Sequence, residues 1–414
     1  WQWEAAHDGN GQSLELINPR LPNESGQNWA ASEVETGTPG QANSVRRSNI
    51  APLIVETAHF PIVPKSTDSV RVSARVVSLP LAKPKVVLHF RDATSEEPDA
   101  FQSVSMRDDG QAGDAIAGDG FFTATLPPQP HATVVEFYLR ATDALGQART
   151  WPAPTLKLDG SLGQAANPVY LVDDSPIESG PLYRVVMTGS ELRDRERITS
   201  GSRSDARMNA TFISNDETGT ECRYLVGVRN RGNGSRGRKP SNFRIHFRSD
   251  EPWKGQTDLN LNGQFSWVQH IGSVLALKSG AVAPRVWPVR VRLNNQDPTE
   301  AGSAGWSFGF YAAHEVLDSG WAEYHFPDDS SGNLYRARRN IAPSSFEYRG
   351  EEADSYRNPW FKATNTAEDD WLDLIEMLSV VDPEDELSIK RVREVINVEQ
   401  WLTHIAVMAV LNNS

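Results

Sequence analysis

Cysteine is almost absent from this chain, which has Cys222 alone among its 414 residues. A single cysteine excludes an internal disulfide and gives no support to an oxidising compartment. Long apolar runs are absent too. The longest, residues 401–411, contains His404 and is shorter than the roughly 20 residues that cross a bilayer. We therefore expect no membrane span in this chain.

Positive charge is in deficit, with 41 Lys and Arg against 54 Asp and Glu and a net charge of −13. Proteins that bind nucleic acid present a basic stripe, and polybasic membrane anchors need clustered cations. The charge balance therefore predicts no general affinity for nucleic acid and no polybasic anchor. Histidine spacing typical of zinc sites is also missing, since His314, His325 and His404 form no H-x-x-x-H pattern.

The chain begins at Trp1 rather than Met, shows no signal peptide, and ends at Ser414 directly after an apolar helical pattern. We interpret it as a piece of a larger protein whose targeting segments lie outside this sequence. The length predicts two to four domains. Turn and linker composition divides it into segments 1–49, 50–173, 174–181 and 182–414.

Segment 1–49 is rich in turn-forming residues and too poor in aliphatic residues to form a core alone. We predict the last strand or two of an all-β unit, followed by a linker. Short pieces of it resemble the closing part of a bacterial lamin-tail domain, namely residues 8–15, 29–32, 37–40 and Asn43. This resemblance implies an immunoglobulin-like remnant with a role in adhesion or spacing.

Segment 50–173 alternates apolar and polar residues with a period of two, as in Val70, Val72, Ala74 and Val76. Such alternation between Pro and Asp-Gly turns predicts an antiparallel β-sandwich. The segment resembles the immunoglobulin-like modules that precede catalytic domains in secreted bacterial proteins. Segment 174–181, with two prolines and a glycine, is predicted to be a linker.

Four aspartates stand close together in this segment, at Asp108, Asp109, Asp114 and Asp119, among several glycines. Clustered carboxylates are ligands that Ca²⁺ prefers. Asp-Gly pairs also form tight turns, because both residues tolerate a positive φ. The sequence leaves both interpretations open.

Segment 182–414 places strand patterns before helical ones, which predicts an α+β domain. Helical patterns cover residues 267–277, 371–380, 384–396 and 398–411. Asp382 before Pro383 predicts an N-cap for the third of these helices, and Asn397 predicts one for the fourth. Tryptophans are frequent here, and they are left open between core filling and sugar-binding platforms.

The stretch 229–241 carries five cations and three glycines between two alternating strands, in a chain that is acidic overall. Glycines allow backbone N–H groups to approach an anion, and arginine forks match phosphate oxygens. We predict a β-hairpin loop that either cradles phosphate or forms a solvated basic turn.

An ordered series of motifs in segment 182–414 resembles the spore-coat CotH kinase-like family. It comprises residues 231–236, 239–241, 243–247, 259–262, 281–284, 289–294, 308–311 with Glu315, 332–336 and 398–413. The resemblance implies an atypical protein-kinase-like fold, ATP with Mg²⁺ or Mn²⁺, and phosphorylation of secreted or surface proteins. It also implies a secreted or cell-surface location.

Carried over by position, the resemblance implies that Arg236 and Lys239 contact nucleotide phosphates and that Arg231 supports them. Glu315 would lie near the nucleotide, either in a Lys–Glu pair that positions phosphates or in a simple strand-end salt bridge. The family's catalytic and metal-binding aspartates are expected beyond Ser414, so we predict no kinase activity for this chain by itself. Whether the parent protein is an enzyme or a non-catalytic surface, adhesion or structural protein stays open, as do the acceptor substrate and the oligomeric state.

Overall fold

The computed structural model describes residues 11–79, 83–111, 113–156, 159–176, 178–198, 201, 204–232, 235–300, 308–338, 346–382 and 386–411. Two compact units are present, residues 1–229 with 291–297, and residues 230–290 with 298–414. Parts of the predicted motifs, at residues 8–10, 233–234, 383 and 412–413, lie outside the described residues. The predicted domain limits differ from this division and stay predictions.

The described part of the chain is largely β. In the N-terminal half the strands are β1 (Leu14–Leu16), β2 (Trp29–Ala31), β3 (Leu53–Phe60), β4 (Val70–Val77), β5 (Lys85–Asp92), β6 (Gln102–Ser105), β7 (Phe121–Leu126), β8 (Val134–Thr142), β9 (Ala148–Trp151), β10 (Thr155–Leu156), β11 (Leu162–Gly163), β12 (Val169–Leu171), β13 (Leu182–Val186), β14 (Met208–Asp216) and β15 (Gly219–Asn230). The C-terminal half contains β16 (Phe243–His246), β17 (Asp258–Asn262), β18 (Val286–Leu293), β19 (Tyr311–Glu315), β20 (Tyr335–Ala337) and β21 (Trp360–Lys362). The helices are α1 (Gly189–Arg197), α2 (Ser266–Lys278), α3 (Ser319–His325), α4 (Asp354–Arg357), α5 (Leu372–Val381), α6 (Ile389–Val395) and α7 (Val398–Val410).

Two antiparallel sheets of the first unit pack around one core. The first has the strand order β3-β4-β7, and the second has the order β12-β8-β5-β6 with β9 paired to β8. The alternation predicted for β4 is observed, because Val70, Val72, Ala74 and Val76 are all buried. These side chains meet Leu88 and other apolar residues of the second sheet. The sandwich is therefore as the period predicts, whereas its immunoglobulin-like assignment and the lamin-tail assignment of residues 1–49 stay predictions.

Tyr224 of β15 joins the core of that sandwich. Its hydroxyl lies 3.0 Å from the backbone N of His59 and 2.5 Å from Nδ1 of the same residue. Burial lowers the pKa of His59 to about 4, and its Nε2 lies 2.9 Å from the carbonyl of Ile62. The neutral ring is thus held at both nitrogens inside the first unit.

In the second unit, β16, β17, β19 and β18 follow one another as antiparallel neighbours. Phe243, Ile245 and Phe247 are buried while Arg244 and His246 are partly exposed, which confirms the predicted alternation of this strand. A separate small core lies further along the chain, formed by Tyr356, Trp360, Trp371, Leu374, Ile375 and Leu378. Two of the tryptophans thus fill a core, as one of the two interpretations expected.

The predicted helices agree with α2, α5 and α7 within one residue at each end and differ most from the observed helix at α6. Asn397 Oδ1 accepts a hydrogen bond from Gln400 N, so the predicted N-cap of α7 is confirmed. The prediction for α6 was wrong at its start, because residues 386–388 are not helical and Ser388 is the N-cap. Asp382 instead ends α5, with its N–H bonded to the carbonyl of Leu378. Among the described residues, every helix is too short or too polar to cross a bilayer.

Candidate functional site

The cationic loop lies between β15, which ends at Asn230, and β16, which begins at Phe243. Its two ends are joined by a hydrogen bond of 3.0 Å from Arg231 N to the carbonyl of Asn242. We call residues 231–241 the hairpin loop. Its described cations are Arg231, Arg236, Arg238 and Lys239.

Turn bonds inside the hairpin loop fix the shape of its tip. Arg236 Nε donates to the carbonyl of Gly232 at 3.0 Å, and Arg238 N donates to the carbonyl of Ser235 at 3.1 Å. Gly232 has a φ of +101°, a conformation that residues with a Cβ rarely adopt. Gly232 therefore permits the backbone turn that lets the Arg236 side chain reach the Gly232 carbonyl.

The base of the hairpin loop is bonded to the residues that lead into α2. Gly263 N donates to Asn242 Oδ1 at 2.9 Å, and Gln264 Nε2 donates to the carbonyl of Pro240 at 3.1 Å. The hydroxyl of Tyr311 donates to the carbonyl of Ser241 at 2.9 Å. The loop is thus fixed at the N-terminal end of α2 and not attached by its two strands alone.

Arg231 belongs to a polar network beneath the loop. Its Nη1 contacts Asn262 Oδ1 and lies 3.3 Å from His314 Nε2. Asn262 Nδ2 lies 2.7 Å from His314 Nε2 and also donates to Gln269 Oε1 of α2 at 2.7 Å. Gln269 Nε2 in turn donates to the carbonyl of Gln264 at 2.7 Å. We call Arg231, Asn262, His314 and Gln269 the support network.

His314 acts in this network as a neutral acceptor. Its Nδ1 lies 3.1 Å from the carbonyl of Glu315, so the proton belongs on Nδ1 and Nε2 accepts from Asn262 and Arg231. Burial, followed by the nearby charge of Arg231, lowers the pKa of His314 to about 4. The ring therefore stays neutral at physiological pH and holds the Arg231 guanidinium in place.

Glu315 is buried at the end of β19 and is paired with groups outside the hairpin loop. Its carboxylate accepts from Arg285 N at 2.8 Å, from Arg285 Nε at 2.6 Å and from His325 Nε2 at 3.0 Å. Burial alone would raise the pKa of Glu315, but the bonds from Arg285 and His325 outweigh it and lower the pKa. This geometry is that of a strand-end salt bridge, and a place for Glu315 near a nucleotide stays a prediction.

Lys239 differs from these paired groups. It is exposed, and within the described part of the chain no hydrogen bond or ion pair involves its ammonium. The peptide bond to Pro240 is cis, and Pro240 itself is buried. Lys239 is thus exposed to solvent beside a buried proline.

A cavity of about 570 Å³ lies beside the support network. His314 and Gln269 line it together with α2, the start of β18 and α7, which contributes His404 and Met408. The sequence pattern indicated neither Gln269 nor His314 as a partner of the loop. Asn262 belongs to a motif of the resemblance, but no spacing rule connects it to Arg231.

Three of the four aspartates considered for calcium do come together in the first unit. Carboxylate oxygens of Asp108, Asp114 and Asp119 lie within 4.8 Å of one another. Asp108 accepts from Gly118 N at 2.5 Å and Asp114 accepts from Gly110 N at 2.6 Å, which are turn-forming bonds. Asp109 is outside this group and lies 3.6 Å from Arg107. Calcium binding here stays a prediction.

In the described part of the second unit, no cluster of carboxylates able to hold Mg²⁺ or Mn²⁺ is present. Among the described residues, its ionisable side chains form no group of three that would suit a metal ion. Glu315 is already saturated by Arg285 and His325. The binding of ATP and of a divalent metal by this unit therefore stays a prediction.

Comparison with known proteins supports the C-terminal part of the sequence prediction. Residues 228–414 match a family model described as CotH kinase protein. No curated protein matches the chain.

A solved structure of a cycloalternan-forming enzyme from Listeria monocytogenes in complex with pentasaccharide substrate is 10% identical, over 51% of this chain and 22% of that chain, with a TM-score of 0.18. This chain thus spans about a fifth of that enzyme's length, and the likeness carries no argument about fold. The CotH match begins just before the hairpin loop and includes the whole support network.

Proposed function

We propose that residues 228–414 form the nucleotide-binding part of a CotH-like kinase and that the hairpin loop binds the phosphates. The observation that carries this proposal is the anchoring of the loop. A cationic, glycine-containing tip is bonded at its base to Asn242, Gly263 and Gln264. Fixed donors bind an anion better than mobile ones, because little side-chain and backbone freedom is lost on binding.

Charge supports the proposal. The chain has a net charge of −13, yet four described cations stand within nine positions of this loop. Exposed lysine and arginine side chains are suited to phosphate, the first as a point charge and the second through two parallel N–H bonds. We assign Lys239 and Arg236 to direct phosphate contact.

The support network gives Arg231 a different role. Its guanidinium is held by Asn262 and His314, so we assign it to positioning the loop. Glu315 is assigned to the fold, because Arg285 and His325 occupy its oxygens. ATP bound here would supply the phosphoryl group. The proposal stops at binding, since the described residues of this unit offer no metal-ligand cluster and no transfer step can be built on them.

Titration calorimetry with ATP and with inorganic tripolyphosphate tests this function. The Arg236→Ala, Lys239→Ala double variant should bind both ligands at least about tenfold more weakly, because two charge-assisted contacts are removed. Because tripolyphosphate has no adenine or ribose, its affinity measures the contribution of the phosphates alone.

A matched control removes the same charge elsewhere. The Lys278→Ala, Lys390→Ala variant also deletes two exposed cations of the second unit, outside the hairpin loop. It should bind within about twofold of the natural chain, because distant exposed charges are screened by salt. Equal weakening by both variants, or no nucleotide binding by the natural chain, would favour the non-catalytic surface protein.

A further inference from the structure

Arg149 is a cation in an unusual place in the first unit. It belongs to β9 and lies directly opposite Ala141 of β8. Side chains of directly opposed residues point to the same face of a sheet, and Ala141 is completely buried on the core face. The Arg149 side chain therefore starts on the apolar side of the sandwich, where a charge is costly.

No acid compensates this charge. Within the described part of the chain, no hydrogen bond or ion pair reaches the Arg149 side chain, and its Nε is enclosed without a partner. Burial accordingly lowers the pKa of Arg149. Other arginines of the same unit are paired, such as Arg91 with Glu136 at 2.6 Å and Arg184 with Asp173 at 3.1 Å.

Arg149 lines a cavity of about 430 Å³. The other lining residues are Gln27, Ala51, Arg140, Ala148, Thr150, Trp151, Ala153 and Pro154, so two arginines and no acid surround it. Thr150 Oγ1 is also buried without a partner among the described residues. The Gln27 amide is bonded to the backbone of Ile54, because Nε2 donates to the Ile54 carbonyl at 2.6 Å and Oε1 accepts from Ile54 N at 2.9 Å.

We propose that this cavity binds a small oxyanion, a carboxylate, sulfate or phosphate, through the guanidinium of Arg149. A guanidinium donates two parallel N–H bonds to such an anion, and the bound charge would offset the cost of burying the arginine. Arg140 also lines the cavity, but it lies opposite Thr150 in the sheet, so its side chain starts on the other face from Arg149. The site is independent of the hairpin loop and involves no covalent step.

Thermal unfolding of the natural chain and of Arg149→Met tests the site. In a buffer whose only anion is chloride, the variant should unfold at the same or a higher temperature, because methionine fills similar space without a buried charge. Phosphate, sulfate or acetate at constant ionic strength should raise the Tm of the natural chain. The rise should be about 5–10 °C at a hundredfold excess over Kd.

The comparison between variants decides the outcome. Arg149→Met should lose the part of the Tm rise that comes from this cavity and respond less than the natural chain. Arg149→Lys should keep a weakened response of the cavity, with Kd raised at least about tenfold because the fork geometry is lost. Arg75→Met, which removes an exposed arginine paired with Glu56, is the control and should respond like the natural chain.

Anion binding to the hairpin loop would persist in all of these variants. Equal Tm shifts in the natural chain and in Arg149→Met, or no shift with any of the three anions, would overturn the proposal.

Discussion

Glu315 of the second unit and Arg149 of the first are both enclosed at least in part by protein, but their charges are treated in opposite ways. In the second unit, Glu315 is enclosed by Arg285 and His325, and its carboxylate is saturated. In the first unit, Arg149 has no acid beside it among the described residues, and Glu191 accepts only the backbone N–H of Asn209 there, at 3.2 Å. A buried charge with a partner holds a fold together, whereas one without a partner is free to respond to a ligand or to pH.

The same contrast separates the cations of the hairpin loop. Arg231 is tied to Asn262 and His314, so it belongs to the framework. Lys239 is exposed and has no partner among the described residues. The difference teaches that partners, more than cation identity, separate the cations that support the fold from those we propose to bind phosphate.

Removing the saturated carboxylate should have the largest effect. Glu315→Ala leaves Arg285 half-buried without its acid, and we expect a loss of about 3–5 kcal/mol in the free energy of unfolding of the second unit. Chemical denaturation measures it. Glu323→Ala, an exposed glutamate on α3, should change stability by less than about 0.5 kcal/mol. Similar losses in the free energy of unfolding for Glu315→Ala and Glu323→Ala would contradict the idea that the paired carboxylate of Glu315 stabilises the fold more than an exposed acid does.

Glu191 should show the opposite behaviour with pH. Burial, together with the charges of Asp194 and Glu136, raises the pKa of Glu191 to about 7. A folded pKa above the unfolded one means that stability is present at low pH and is lost as pH rises from about 4.5 through 7. Glu191→Gln, which can still accept from Asn209 N, should therefore be more stable than the natural chain at pH 8 by about 1–3 kcal/mol.

At pH 4 the Glu191→Gln advantage should vanish, because the natural side chain is then protonated. Glu97→Gln, an exposed acid of the same unit, serves as the control and should show no pH-dependent difference. A constant advantage of Glu191→Gln at both pH values would mean that charge is not the cause.

The support network predicts a smaller, local effect. His314→Phe removes the acceptor of Asn262 and Arg231, and we expect a cost of about 1–3 kcal/mol. Hydrogen exchange at residues 231–242 should become faster, while His314→Asn, which keeps an acceptor, should restore part of the protection. His404→Phe changes another histidine of the same cavity and should leave exchange in the loop unchanged.

The smallest effect concerns the aspartate turn. Asp108→Ala leaves Gly118 N without its acceptor and should cost about 1 kcal/mol in the first unit. Asp109→Ala removes an exposed acid from the neighbouring position and should cost less than about 0.5 kcal/mol. Equal costs, measured by urea denaturation, would show that burial of Asp108 does not matter.

Much of the local structure could be predicted from the sequence. Alternation identified the buried faces of β4, β15 and β16, because period two in a strand follows directly from backbone geometry. The loop between β15 and β16 was predicted from its glycines and cations, and the Asn397 cap from its residue type. Caps beside proline were less reliable, since Ser388 and not Asp382 begins α6.

The site's supporting groups could not be predicted in the same way. His314 and Gln269 reach Arg231 only because β19 and α2 are brought together by the fold, and no local pattern records such a contact. Nothing in the sequence distinguishes Arg149 from other arginines in strands. Only the structure shows that, among the described residues, no acid is paired with it. Sequence clustering thus indicated the cations of the hairpin loop and missed Arg149.

An experimental structure of this chain with a non-hydrolysable ATP analogue tests the central claim most directly. We expect phosphate oxygens within hydrogen-bonding distance of Lys239 and Arg236, with the Arg231 guanidinium still held by Asn262 and His314. A nucleotide bound elsewhere, for example with its phosphates at Arg149, and an empty hairpin loop would contradict the account.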